Sequence, residues 1–497
     1  MKQLKNFVVA LVIMAIFAAS ICGCSGSEKE NSSGKKGASK TATETVVISI
    51  DEWIGYWGLL IANGGLETAP DSINAKNGIS VKYVIMNDPS MSSSALISGE
   101  IQGAGYTVNR YSFLQNKFDE AGIKVIMPFI TNFSNGADGI ISKADIRNVS
   151  DLVGKKVAVP RFSESQTLVE WLINNSDLTT EERSQIRKDM VFFETADETA
   201  KAFFSGEVDA AATWEPYLTE AASATESRIL FSTAMAKNLI LSGIIFRTDF
   251  VEQNEDFIVK LMDGAFEARP QYKKDFDTIR QMPMCEIMTE EEIVAMADGA
   301  DLTTAAQNAN ILQTSAVQMY KDMANVWLTI GETAYPDKAE TAFTDKYAIQ
   351  LLDKYPEEGE TETSKLSGEE KKKLMESPDA LLDYKADIKF ELNSTDIKEE
   401  SYSTLDDFVD VAKVLDGVYI QIEGNTSQRN EGVTEAEIKQ FSKERAESVA
   451  NYFINKGISK ERIMVVGNGD SKLLDPENPA GAVNRRTEIY FKTTMGF

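Results

Sequence analysis

From Val46 to about Tyr355 the chain alternates short apolar runs with longer helical stretches, and this alternation constrains the fold more than any other feature. Val46-Val47-Ile48-Ser49-Ile50 is a β-branched run that reads as a buried first strand. Further strands are predicted at Ser80–Ile85, Gly103–Tyr106, Lys124–Pro128, Gly139–Ser142 and Lys156–Val159, then at Met190–Phe193, Ala210–Thr213, Ile229–Phe231 and Ile240–Phe246. Helical stretches include Met91–Ser98, Gln166–Asn174, Asp197–Ser205 and Asp256–Gln271. Such alternation argues for an α/β architecture with a largely parallel sheet. Pro356 to about Ser377 breaks the pattern with Glu-, Thr- and Lys-rich sequence, a charged linker with room for one short helix. A small α+β unit follows: strand Asp387–Glu391, helix Leu405–Leu415, strand Val418–Glu423, helix Glu435–Lys456 ending at Gly457, and strands Arg462–Val466 and Thr487–Lys492.

The length of 497 residues suggests two or three domains. Acidic residues outnumber basic ones 77 to 51, for a formal charge of −26, and such a surface repels nucleic acid and anionic lipid head groups. Histidine is absent, which removes the usual general base, the usual transition-metal ligand and every Ser-His-Asp or Cys-His arrangement. Three cysteines are present, two of them (Cys22 and Cys24) at the extreme N-terminal end, leaving Cys285 as a lone thiol read as a small buried side chain. No cofactor or metal is expected. Carboxylate chemistry would need two opposed acids in one pocket, and no spacing argues for them, so a non-enzyme is expected.

Lys2 and Lys5 precede an apolar run from Phe7 to Ala19, about half the length that crosses a bilayer. Ile21-Cys22-Gly23-Cys24 and the polar Ser25-Gly26-Ser27 resemble a bacterial lipobox. That resemblance implies cleavage before Cys24 and a lipid on its thiol; the alternative is an ordinary secretory signal. Several acyl chains together give stable anchoring. Ser25 to Glu44, nearly free of apolar residues, reads as a flexible tether.

Five spaced motifs over about 45–355 resemble the substrate-binding proteins of nitrate, taurine, sulfonate and bicarbonate ABC importers. They are Trp53-Ile54-Gly55-Tyr56, Leu96-Ile97-Ser98-Gly99-Glu100-Ile101, Ser134-Asn135-Gly136-Ala137-Asp138-Gly139, Asp151-Leu152-Val153-Gly154-Lys155-Lys156-Val157-Ala158-Val159, and Gly206-Glu207-Val208-Asp209-Ala210-Ala211 with Trp214-Glu215-Pro216-Tyr217. The resemblance implies a two-lobed type II periplasmic-binding-protein fold, one lobe from about 45–128 with the return after 240, the other from about 130–238. Such proteins close over a solute by hinge motion and present the closed form to a permease. Ligands of an open α/β sheet sit beyond strand carboxyl ends. The candidate ligand residues there are Trp53, Tyr56, Trp57, Thr107, Ser134, Ser163, Ser165, Trp214 and Glu215. The aromatics offer flat walls, and the Ser163-Glu164-Ser165-Gln166-Thr167 turn offers free N–H groups and hydroxyls to an anionic head group. The same residues also read as core aromatics, helix caps and surface acids. Glu164 and Glu215, if they face the cleft, favour a zwitterion or an amine over a bare anion, unless Arg161 neutralises Glu164.

Residues 385–495 resemble the OmpA-like peptidoglycan-associating module. The carriers are Phe390-x-Leu392-Asn393-Ser394, Gly424-Asn425-Thr426, Phe441-Ser442-Lys443-Glu444-Arg445-Ala446 and Asn484-Arg485-Arg486-Thr487-Glu488-Ile489. The resemblance implies peptidoglycan contacts from Thr426, Arg445, Asn484 and Arg486. In that family an aspartate takes the ammonium of diaminopimelate and an arginine takes its carboxylate in a fork. Here Ser427 stands where the aspartate is expected, with Glu431 nearby.

The expected organisation is a signal peptide at 1–23, a tether at 24–44, a solute-binding domain at 45–355, a charged linker at 356–384 and an OmpA-like domain at 385–497. The expected protein is a lipid-anchored receptor on the extracytoplasmic face of the cell membrane. It would serve an ABC permease and its ATPase, with peptidoglycan as a second partner. A wall-tethered sensor or scaffold without a transport role is the alternative.

Overall fold

The computed structural model describes residues 44–356, 366–386, 388–391 and 393–494. The lipobox with Cys24, and the tether up to residue 43, lie outside the described residues. Along the chain come β1 (Thr45–Ile50), β2 (Ser80–Ile85), β3 (Gly103–Thr107) and β4 (Val125–Ser134). Next are β5 (Asp138–Lys143), β6 (Val157–Pro160), β7 (Met190–Phe193), β8 (Ala210–Trp214) and β9 (Ser227–Ser232). Then β10 (Leu241–Arg247) and β11 (Ala300–Leu302) are followed by β12 (Leu382–Ala386), β13 (Tyr419–Asn425), β14 (Ile463–Gly469) and β15 (Arg486–Lys492).

These strands form three sheets, ordered β11-β4-β10-β3-β1-β2, β7-β6-β8-β5-β9 and β12-β15-β13-β14. The first two share one plan. In each, the strand arriving from the other sheet (β10 or β5) inserts antiparallel beside the third strand, with the fourth strand on its far side. That is the two-lobed type II arrangement of α/β periplasmic binding proteins. The sheets are therefore mixed, and the expectation of a largely parallel sheet is corrected. β1–β2, β1–β3, β6–β7 and β6–β8 run parallel, whereas β10 pairs antiparallel with β3 and β4, and β5 with β8 and β9. Hydrophobic periodicity reveals that a strand is buried but not its direction, which depends on where the chain crosses between lobes.

The crossings run from β4 to β5 and from β9 to β10, and side chains stitch them together. Ser134 Oγ and Thr233 Oγ1 share a hydrogen bond of 2.7 Å, and Gly136 N–H donates to Thr233 Oγ1 at 2.9 Å. Central strands are buried on both sides: Ile48, Ala104 and Ile244 have no exposed surface.

The third sheet carries the helices Tyr402–Val414 and Glu435–Asn455. Within the charged stretch, Ser367 and Glu370 form a capping box that starts the helix Gly368–Glu376. The buried Lys492 of β15 donates to the carbonyls of Leu374, Met375 and Ser377, which ties that helix to the third sheet. The first strand of this sheet is β12, not the predicted Asp387–Glu391. Asp387 lies outside the described residues, and Phe390 makes a single bridge to Ile397. Asp416 and Gly417, in the turn before β13, dock on the second crossing. Gly417 N–H donates to Met235 O at 3.0 Å, and Lys237 N–H donates to Asp416 Oδ1 at 3.0 Å. A Cβ at Gly417 would stand 2.1 Å from Ala234 O, so only glycine permits the approach.

Candidate functional site

Two helices begin where strands of different lobes end, and their N-termini meet. Thr107, the last residue of β3, caps the helix Val108–Glu120 by accepting from Arg110 N–H at 3.1 Å. Ser163 caps the helix Glu164–Asn174 by accepting from Gln166 N–H, while its own hydroxyl donates to Pro160 O at 2.6 Å. Between these caps Thr107 Oγ1 donates to Glu164 Oε1 and Arg110 Nη2 donates to Glu164 Oε2, each at 2.7 Å. Asn109 Nδ2 donates to Thr167 Oγ1 at 2.9 Å, and the Phe113 and Phe162 rings stack 5.3 Å apart. At these two helix starts the lobes touch through one ion pair, two further hydrogen bonds and a ring stack, and Phe162 also lies 6.4 Å from the Trp327 ring. Arg161 turns away from this set to lie over the Phe192 ring at 4.5 Å, and Arg110 takes the place beside Glu164 that the sequence offered to Arg161.

The aromatic candidates separate. Trp53 is part-buried and held at both ends, its N–H donating to Asp51 Oδ1 (3.0 Å) and its indole Nε1–H to Asn132 Oδ1 (2.9 Å). The glycine of that motif has a clear reason: a Cβ at Gly55 would come within 2.1 Å of the Asn132 amide. Tyr56 and Trp57 are buried in the core of the first lobe, Tyr56 against Gly105 and Trp57 beside Tyr272. Trp214 ends β8 directly opposite Asp138 in the register of β5. Glu215 accepts from Thr219 N–H and Oγ1–H at the start of the next helix. Ser134 belongs to the stitched crossing, and the Ser165 hydroxyl is buried with no partner.

Residues not singled out from sequence complete this region. Asp138 is 4% exposed, and its Oδ2 has no hydrogen-bond partner. Burial, reinforced by the nearby charges of Glu164, Asp51 and Glu215 and opposed by the Ser134 hydroxyl, pushes its carboxyl up to about 7. Asp51, one residue beyond β1, is pushed up to about 6 by burial, against the Trp53 N–H and Arg110. Asp51 follows the predicted first strand and Asp138 is the aspartate of the Ser-x-Gly-Ala-Asp-Gly motif, so a carboxylate at a strand end was the signal available. Among the described residues no group of histidines, cysteines or acids is arranged to hold a metal ion. Cys285 is buried, with its thiol pushed up to about 12 by burial.

A second recess opens on the third sheet, lined in part by Phe390, Asn425, Ser442, Arg445, Arg485 and Arg486. The Arg445 guanidinium lies over the rings of Phe441 (4.5 Å) and Phe390 (4.8 Å), and its Nε–H donates to Ser394 O. Arg486 pairs with Glu488 at 2.9 Å, and Arg485 donates to Ala480 O. Asn484 is buried and pins its loop through Asp475, Asn478 and Pro479, while the Thr426 hydroxyl is buried without a partner.

Residues 75–268 match the family described as NMT1/THI5 like, and residues 389–487 match the OmpA family. The chain thus carries a stretch similar to the NMT1/THI5-like family, followed by one similar to the OmpA family. Outer membrane porin F of Pseudomonas aeruginosa is 30% identical over 105 residues, 20% of this chain and 29% of that protein. The chain therefore spans less than a third of that relative's length. The periplasmic aliphatic sulphonate binding protein SsuA from Escherichia coli superposes with a TM-score of 0.48 at 18% identity, covering 60% of this chain and 97% of that one. The periplasmic nitrate-binding protein NrtA from Synechocystis PCC 6803 gives 0.46 at 12% identity, covering 63% and 89%. No helix among the described residues is long and apolar enough to cross a membrane.

Proposed function

We propose that the protein is an extracytoplasmic solute receptor of an ABC importer, anchored by lipid on Cys24, with its OmpA-family domain resting on peptidoglycan. The receptor is residues 45–355, and a small polar solute binds between its lobes. The observation that carries this reading is the shared plan of the two sheets, joined by two crossings, with Thr107 and Arg110 of one lobe meeting Glu164 of the other. A permease would read the closed shape, so the solute must bind the closed form better than the open one. The names of SsuA and NrtA point to sulphonate and nitrate as first probes. Taurine, bicarbonate and pyrimidine amines complete the panel.

Native mass spectrometry followed by a thermal-shift screen of that panel tests the reading. A bound mass or a rise of several degrees supports it, and silence across the panel removes it. Trp53→Ala combined with Trp214→Ala is expected to abolish the shift while melting stays cooperative. A wall-tethered sensor is the second reading, favoured by one contact: the OmpA-family domain touches the second crossing through Asp416 and Gly417, where hinge motion would be felt.

A further inference from the structure

The recess of the OmpA-family domain keeps positive charge that nothing in it balances. Three arginines, Arg445, Arg485 and Arg486, are among the described residues that line it, and no acid is. Two acids are hydrogen-bonded to that lining, directly or through Asn468, and each is satisfied inside the fold. Glu488 holds Arg486 at 2.9 Å and accepts from Asn425 Nδ2 and the Tyr490 hydroxyl. Glu423 holds Lys472 at 2.8 Å and accepts from Asn468 Nδ2, which also donates to Asn425 Oδ1. Each acid thus has its own cation, and Arg445 and Arg485 are left over.

Among the described residues neither of these two arginines has a carboxylate partner. Arg445 gives its Nε–H to Ser394 O and lies over the Phe390 and Phe441 rings. Arg485 Nη1 reaches Ala480 O and, at 3.5 Å, the Ser427 hydroxyl. Burial, and after it the like charge of Arg485, holds the Arg445 guanidinium below its ordinary pKa. Two guanidiniums lining one recess, each in need of a counter-charge, suit a carboxylate. A zwitterion suits them less well. Its ammonium would meet a second guanidinium, with only the Ser427 hydroxyl where the OmpA family places an aspartate. An acid whose nitrogen is an amide carries no such charge. Cross-linking of stem peptides makes that change: the side-chain amine of the diamino residue becomes an amide, and the carboxylate beside it stays.

We propose that the recess binds a peptide carboxylate whose neighbouring nitrogen is acylated, so that the domain selects the cross-linked diamino residue over its free-amine form. The proposal rests on the peptidoglycan reading and narrows it. Arg445 takes the carboxylate, and Arg485 disfavours an ammonium beside it.

Isothermal titration of the full chain with two purified stem tripeptides tests it, one ending in diaminopimelate with a free side-chain amine and the other with that amine acetylated. The acetylated peptide is expected to bind about tenfold more tightly, the scale of one unscreened like-charge contact. Arg485→Gln is expected to close most of that gap, weakening the acetylated peptide and strengthening the free one. Arg445→Gln is expected to weaken both, with the melt still cooperative. Equal or tighter binding of the free-amine peptide overturns the proposal, and a preference that survives Arg485→Gln overturns the role given to that residue. Binding of neither peptide overturns the proposal as well; co-sedimentation of the parent with sacculi then decides the peptidoglycan reading on its own.

Discussion

The interlobe cleft and the recess of the OmpA-family domain are both formed where helices meet sheet ends, yet their electrostatics are opposite. Between the lobes Asp51 and Glu164 share the field of one guanidinium, Arg110, which Glu164 already occupies, and the buried Asp138 lies in the field of both acids. In the recess Arg445, Arg485 and Arg486 gather, with Glu488 paired to Arg486 and Ser427 standing at the position of the family's aspartate. What differs is not simply which charges are present but which are left over after internal pairing. Arg110 and Arg445 make the point. Arg110 is held by a carboxylate, whereas Arg445 is held by two aromatic rings and one carbonyl, so its charge remains available to a ligand.

The largest expected effect separates those two arginines. Arg110→Ala leaves Glu164, with a side chain only 12% exposed, without its cation. Breaking a buried pair in this way costs about 3 kcal/mol or more. The lobes escape that cost by parting, since an opened Glu164 is hydrated. Small-angle scattering of the variant is expected to show a larger radius of gyration than the parent, and identical profiles would exclude the pair as an interlobe latch. Arg445→Ala leaves no acid stranded, so its effect on stability is smaller, about 1 kcal/mol from lost ring contacts. Its main consequence is loss of co-sedimentation with sacculi. Arg445→Lys keeps the charge without the planar fork and is expected to recover only part of that binding. Equal pelleting of all three forms would take Arg445 out of the site.

A third effect concerns Asp138. Its pKa of about 7 in the folded protein lies above the usual 3.8, so the folded chain holds that proton more tightly than the unfolded one. The stability linked to it is fully present below about pH 4, falls as pH rises and is gone above about 7. Asp138→Asn removes this dependence. The melting temperature of the variant relative to the parent is therefore expected to be about 2–4 °C more favourable at pH 8 than at pH 5. A difference that does not change with pH would mean that Asp138 does not titrate in its buried position.

The contrast between the two regions was only partly legible in sequence. Strand positions were, because periodicity is local: β2 and β7 fall on the predicted residues, and β3, β6 and β8 within a residue at either end. Strand direction was not, since it follows from crossings whose partners are distant. β12 was missed because Leu382–Ala386 sits at the edge of a charged stretch, while the next five residues carry the more visible alternation. The family motifs located Trp53 and Trp214, and the strand pattern located Thr107, at or just beyond strand ends. They did not reveal that Thr107 and Arg110 share Glu164, more than 50 residues away, nor that Asp138 has an unpartnered oxygen. A missing partner is a property of everything around a residue, and no short window of sequence contains it.

The smallest effect sharpens the comparison from the other side. Ser427→Asp would restore a carboxylate to the cationic recess, where the family uses one to hold an ammonium. Arg485 Nη1 already lies 3.5 Å from Ser427 Oγ and would take part of the new charge. The expected gain in peptidoglycan affinity is therefore modest, about 1 kcal/mol or roughly fivefold, compared with the larger value of an unshared charged hydrogen bond. Binding of purified stem peptides to the parent and the variant measures it. A gain confined to peptides with a free ammonium would mean that the recess reads both ends of a zwitterion and that Ser427 weakens one of them. No gain, with binding still dependent on Arg445, would mean that the recess reads an acid alone through its arginines.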